Sequence, residues 1–188
     1  MDVLVVCTGN VCRSPATQLM MRHGVDGLPG LPPGVLISSA GTAALVGEGI
    51  APATAQALRR LDVPLDDHWA RQLDAGMVER ADLVLTASRR HRSVVAHLVP
   101  QAIDKTFTLR EFARYCGTRS GSVVGDLGEM TGFAISQRGL VLPQRPEDDD
   151  LPDPWGRSGR THRRVAGYLR DAVVTVLDAV SPAARRVR

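Results

Sequence analysis

The residues best suited to chemistry sit in VLVVCTGNVCRSP, residues 3–15. Four apolar residues, Val3 to Val6, run straight into Cys7, and Arg13 follows after a short polar loop. In an α/β sheet, ligands bind beyond the carboxyl ends of the strands, which is where Cys7 falls. Gly9 admits backbone conformations that other residues resist. Ser14 suits the cap of a following helix and Pro15 its first turn. The loop from Thr8 to Arg13 can then curl with its N–H groups inward, beside the positive end of a helix dipole, as a nest for an oxyanion. Arg13 adds a planar fork that grips two oxygens of a phosphate. The same field favours thiolate over thiol at Cys7, and a thiolate under a bound phosphate is placed for in-line attack on phosphorus. A lone cysteine at a strand end is ordinarily just a small buried residue. Here cysteine, arginine and serine arrive at fixed spacing with glycine and proline where the geometry needs them, and the chemical reading prevails.

The elements that position this loop are legible as period changes. Short apolar runs at Val3–Val6, Val35–Ser38, Leu83–Thr86 and Thr106–Leu109 read as buried strands. Helical patterns lie between them: Ala16, Leu19, Met20 and His23, then a helix opened by Pro52, then Ser88 to Leu98. Val165, Leu169, Ala172, Val173, Val176, Leu177 and Val180 form the apolar stripe of a last helix. Strands alternating with helices imply a parallel sheet covered on both faces. Residues 117–150 break the rhythm and read as a long surface excursion with a short helical piece near Met130. The run Glu147 to Asp150 reads as solvation of that loop. Residues 181–188 read as a frayed basic tail on a single domain spanning 1–188.

A chain of 188 residues can bury one full core. Three cysteines without regular spacing argue against a disulfide framework and for a cytoplasmic setting. No signal peptide and no membrane span are expected. The net charge is only +3 and the arginines are scattered among few aromatics, which speaks against nucleic acid as a partner. No metal site or cofactor is expected, and the chain reads as a monomer or weak dimer.

At these residues the chain resembles the low-molecular-weight protein tyrosine phosphatases. The resemblance extends to Ser39-Ala40-Gly41-Thr42, to His68-Trp69-Ala70-Arg71-Gln72-Leu73, to Ala81–Leu85 and to Asp153-Pro154 before the last helix. It implies a three-layer α/β/α sandwich with a four-stranded parallel sheet of order 2-1-3-4. It implies that Cys7 is the nucleophile, Arg13 the phosphate clamp and Asp153 the general acid. Without the loop, Asp153 would read as an ordinary turn aspartate before proline. The resemblance further assigns Thr8, Gly9, Asn10, Val11, Cys12 and Ser14 to the binding loop, with Ser14 donating to the thiolate and with Ser39 and His68 supporting the loop. Cys12 is open to two readings, core on the first helix or a partner that traps oxidised Cys7 as a disulfide. Trp155 would wall the mouth of the pocket, with Leu45 or Val46 opposite. The implied substrate is a phosphotyrosine protein, a bacterial tyrosine kinase being one candidate.

Two rivals share this machinery. Relatives that dephosphorylate arginine carry threonine where Val11 stands, and a hydroxyl there can orient a guanidinium that two methyls would leave unpaired, at a cost of about 1–3 kcal/mol. An arsenate reductase of the thioredoxin-linked kind needs resolving cysteines after the third strand. Residues Thr86 to Leu98 contain none, and Cys116 stands alone. A reductase resolved by an external thiol would have no use for Asp153 as a leaving-group acid.

Overall fold

The computed structural model describes residues 1–119 and 126–180. Its centre is a four-stranded, all-parallel sheet of order β2-β1-β3-β4. The strands are β1 (Asp2–Cys7), β2 (Leu36–Gly41), β3 (Leu83–Thr86) and β4 (Thr106–Thr108). Side chains alternate between two cores, as the pleat requires. Val3, Val5, Cys7, Leu83, Leu85 and Phe107 enter the larger one; Leu4, Val6, Ala40 and Val84 enter the smaller. Burial on both faces explains why β1 is an unbroken apolar run.

Helices α1 (Arg13–His23), α2 (Pro52–Arg59) and α7 (Gly159–Val180) pack with α5 (Leu109–Thr118) and α6 (Leu127–Ser136) on the larger core. The other face is covered by α3 (Ala75–Arg80) and α4 (Arg89–Leu98). Asp74 caps α3 by accepting from Met77 N at 2.8 Å, and Thr108 and Glu111 form a reciprocal capping box at the start of α5. Among the described residues no helix is long and apolar enough to cross a membrane.

Five expectations need correction. Strand β2 runs on to Gly41, because Ser39, Ala40 and Gly41 continue the ladder against Val5, Val6 and Cys7. Strand β4 stops at Thr108, and Leu109 opens α5, because the Thr108 side chain caps that helix. Ser14 is not a cap: α1 begins at Arg13, with Cys12 at the cap position, and the Ser14 hydroxyl is engaged by Cys7 and Asn10 instead. Residues 117–150 are not all surface, since α6 sinks Leu127, Met130 and Ala134 into the larger core. Nor is the acidic run only solvated: Asp149 pairs with Arg114, and Asp150 with Arg89. Residues 120–125 and the expected tail at 181–188 lie outside the described residues.

Candidate active site

The sheet order sets β1 between β2 and β3, so whatever follows Cys7 is flanked by the ends of both neighbours. The chain between Cys7 and α1 is tied down almost entirely through its carbonyls. Those of Cys7, Thr8, Gly9 and Val11 accept from the amides of Thr42, Ala43, Leu45 and Ala51 at 2.9–3.0 Å. The Asn10 carbonyl accepts from His68 Nε2 at 2.7 Å, and that of Cys12 from Ala16 N at 3.2 Å. With every peptide trans among the described residues, carbonyls turned toward the surrounding chain leave the N–H groups turned to the inside of the curl. The outward ring of acceptors is therefore what builds an inward ring of donors.

Asn10 is the hub of this arrangement. Its φ of 56° places it in the left-handed region, which asparagine tolerates better than most residues. Its Nδ2 donates to Ser14 Oγ at 3.0 Å and to Ser39 Oγ at 2.9 Å, and its Oδ1 accepts from Arg71 N at 2.9 Å. Ser39 in turn donates to Gln18 at 2.6 Å, and its carbonyl accepts from Arg71 Nε at 2.8 Å. Ser14 Oγ lies 3.0 Å from Cys7 Sγ. Burial pushes the His68 pKa down, so the ring is neutral near neutral pH and donates its one proton to Asn10.

Cys7, Thr8, Gly9, Val11, Cys12 and Arg13 line one cavity of about 160 Å³, closed by Ala43, Leu45, Asp153 and Trp155. Asp153 and Trp155 come to this cavity across nearly the whole length of the chain, on the loop that leads into α7. Trp155 is half exposed at the mouth, and Leu45, rather than Val46, supplies the facing wall. Arg13 is 5% exposed; its Nη2 lies 2.6 Å from Asp153 Oδ2, and its Nη1 donates to the Leu151 carbonyl at 3.2 Å. Its Nε is buried with no protein partner. Ser39 and His68 stand behind the loop as supports, outside the cavity wall.

Burial raises the Cys12 thiol to about 11, so it remains protonated beside Cys7. Cys12 lies at the end of the loop in a small cluster with Val11, Ala51 and Ala70. Both cysteines are free thiols.

Sequence reasoning missed several residues that touch this site. His91 is buried, with Nε2 at 2.9 Å from Thr8 Oγ1 and Nδ1 at 2.7 Å from Ser88 Oγ. Burial, seconded by the Arg13 guanidinium, lowers its pKa to about 4. The signal was topological: a residue just past β3 faces the loop past β1 once the order 2-1-3-4 is granted. Arg71 lay inside a quoted motif without a role. Gln18, Thr54 and His162 carried no local signal, since their partners are far away in sequence.

The fold and cavity thus define a doubly covered parallel α/β protein whose first-strand cysteine faces an arginine and an aspartate in one small pocket. The family model for low molecular weight phosphotyrosine protein phosphatase matches residues 2–124, and the chain belongs to that family. It is 37% identical over 103 residues to the low molecular weight protein-tyrosine-phosphatase Wzb of Salmonella typhi, a match covering 55% of this chain and 64% of that relative. The match to the protein-tyrosine-phosphatase Etp of Escherichia coli K12 is longer, 35% over 171 residues, covering 91% of this chain and 88% of Etp. Among solved structures, the tyrosine phosphatase amsI of Erwinia amylovora superposes with a TM-score of 0.70 at 24% identity, covering 96% of this chain and 93% of that one. The YwlE arginine phosphatase from Geobacillus stearothermophilus gives 0.68 at 24% identity, covering 94% and 90%. These two likenesses speak to the fold alone.

Proposed function

We propose that the protein hydrolyses phosphotyrosine in proteins through a cysteinyl-phosphate intermediate. The observation that carries this reading is the convergence of Cys7, Arg13 and Asp153 on one pocket whose floor is a loop with its carbonyls turned away. The phosphoryl dianion sits in the loop amides and takes the Arg13 guanidinium, whose buried Nε is a donor in need of an acceptor. The Cys7 thiolate attacks phosphorus; the S–P bond forms as the P–O bond to the ring breaks. A leaving phenolate has a pKa of about 10, so Asp153 transfers its proton to that oxygen as it departs. Asp153, now a carboxylate, takes a proton from water as the water attacks phosphorus; the S–P bond breaks, and phosphate and thiolate are released. Negative charge is balanced throughout by the amides and Arg13, so no step calls for a metal ion.

Phosphotyrosine is favoured over phosphoarginine by Val11, which gives the pocket wall an apolar face and no hydroxyl. The wall formed by Trp155 and Leu45 is likewise suited to an aromatic ring.

The test compares kcat/KM on matched phosphotyrosine, phosphoserine and phosphoarginine peptides, with Cys7→Ser and Asp153→Ala beside the parent. Phosphotyrosine should lead. Cys7→Ser should lose turnover yet still bind inorganic phosphate, and Asp153→Ala should lose most on poor leaving groups, on the order of a hundredfold. Turnover surviving in Cys7→Ser would sink the mechanism.

A further inference from the structure

Among the described residues three acceptors hold the Arg13 guanidinium, and two of them belong to the loop that carries Asp153. Nη1 donates to the Leu151 carbonyl, and Nη2 faces Asp153 Oδ2. The third is Thr8 Oγ1, which accepts from Nη2 at 3.2 Å and belongs to the loop after β1. The reaction proposed above calls Asp153 to the leaving group, so the Asp153 loop cannot be the fixed mount of the clamp. Thr8 can, provided that its own side chain is fixed. Thr8 is exposed, and an exposed hydroxyl rotates to suit any partner unless one neighbour orients it.

That neighbour is His91. Its Nε2 lies 2.9 Å from Thr8 Oγ1, and its Nδ1 lies 2.7 Å from Ser88 Oγ. Arg13 only donates, so the Thr8 oxygen accepts from it in either tautomer of the neutral ring. With the ring proton on Nδ1, Ser88 accepts it and the Thr8 hydroxyl donates to Nε2. With the proton on Nε2, Thr8 accepts from both the ring and Arg13, and Ser88 donates to Nδ1. In both, the Thr8 side chain is held with a lone pair toward Nη2. The ring is itself firmly mounted. It is 5% exposed in the first turn of α4, and the turn before it is pinned on several sides. Ala87 N donates to Val6 O at 2.8 Å, Thr86 Oγ1 to Ser88 O at 3.0 Å, and Arg89 N to Asp150 Oδ1 at 2.8 Å. His91 thus stands outside the cavity wall, one hydroxyl away from the clamp.

We infer that His91 is a positioning residue for the phosphate clamp: through the Thr8 hydroxyl it keeps the Arg13 fork in place beside the loop while Asp153 serves the leaving group. This rests on the assignment of Arg13 as the clamp. The rival is that His91 merely packs α4 against the end of the sheet.

The experiment reads the Kd for inorganic phosphate by titration calorimetry, kcat/KM on p-nitrophenyl and phenyl phosphate, and the urea midpoint. The variants are His91→Phe, His91→Gln, His91→Asn, Thr8→Val, Arg13→Lys and the double variant His91→Phe/Thr8→Val. Phenylalanine keeps the bulk and removes both hydrogen bonds. Glutamine places its amide near the Nε2 position and restores the Thr8 contact. Asparagine reaches only as far as Nδ1 and keeps the Ser88 contact. His91→Phe should weaken phosphate binding about tenfold and lower kcat/KM by a similar factor on both esters, because a misplaced clamp is felt whatever the leaving group. His91→Gln should recover most of this loss and His91→Asn little of it. Thr8→Val, which removes the hydroxyl at nearly constant volume, should show the same loss, and His91→Phe should add nothing to it in the double variant. Should His91→Phe fail to fold, Thr8→Val and the contrast of glutamine with asparagine carry the test. A lowered urea midpoint with phosphate affinity unchanged, equal rescue by glutamine and asparagine, or a full additional loss in the double variant would overturn the inference. If Arg13→Lys binds phosphate as tightly as the parent, the clamp reading has failed and the inference with it. If Arg13→Lys is impaired and neither His91→Phe nor Thr8→Val is, only the role of His91 is lost.

Discussion

Val11 and Cys12 are neighbours in the loop, line the same cavity and are both buried, yet they bear on different chemistry. Val11 presents methyl groups to whatever enters. Replacing it by threonine is nearly isosteric and adds one hydroxyl, so the pocket should keep its shape while gaining a partner for a guanidinium N–H. We expect Val11→Thr to shift the ratio of kcat/KM toward phosphoarginine peptides over phosphotyrosine peptides by on the order of tenfold. An unchanged ratio would move the choice of substrate to the Leu45 and Trp155 walls. At this scale the sequence was most informative. Cys7, Arg13 and Ser14 were legible because a strand end, a glycine and a proline bracket them at fixed spacing. The cap expected of Ser14 was not correct, because a serine before proline looks like a cap whether its hydroxyl bonds a backbone amide or, as here, a cysteine and an asparagine; the contact with Cys7 that the resemblance implied is present. His162 and Thr54 were invisible: they lie 108 residues apart, and only packing of α7 against α2 makes them a pair.

The loop itself is shaped by the elements around it more than by its own residues. Strand β2 ends at Gly41, where the strand passes so close to Thr8 that an added Cβ would collide with the Thr8 carbonyl and crowd Ala44. All of these are backbone or short side-chain neighbours with little room to yield. Gly41→Ala should therefore push Thr8 out of register, weaken phosphate binding about tenfold or more, and lower turnover on every substrate alike. Titration calorimetry with inorganic phosphate reads this directly, and undiminished affinity would show that the loop is not braced by β2. Elements with strong periodicity, such as the stripe of α7 and the apolar run of β1, were legible. Helices α3 and α5 were not. The first has few apolar anchors and only Val78 buried. The second follows β4 without a connecting loop, Thr108 closing the strand and capping the helix at once. A period change with no punctuation leaves nothing to read.

For the molecule as a whole, histidines buried or half-buried in the fold tie stability to acid. His91 protonates only near pH 4 when folded but near 6.5 when unfolded, because burial and Arg13 oppose its charge while Asp153 and Asp150 only partly favour it. Between those values unfolding takes up a proton, so stability falls as the pH drops from 6.5 toward 4, and this group contributes no further loss below that. The loss from His91 alone is roughly 3 kcal/mol, and His68 and His162, shifted in the same direction, add to it. Urea midpoints measured at pH 7 and at pH 4.5 should differ accordingly, and His91→Asn should narrow the gap. Equal midpoints for the parent at the two pH values would show that these rings are not held neutral.

The short contact between Arg13 and Asp153 has a consequence for what the pocket admits. The free protein carries its own competing anion, a carboxylate tethered at high effective concentration to the one guanidinium in the cavity wall. An incoming ion must outbid it. A singly charged ion, such as chloride or acetate, offers Arg13 little that Asp153 does not already provide. In the proposed reaction a phosphoryl dianion brings twice the charge and further oxygens for the inward amides, and so would displace the resident. On that reading, selectivity for doubly charged groups over the monovalent anions of ordinary solution would lie partly in the ligand that the protein keeps in place between turnovers.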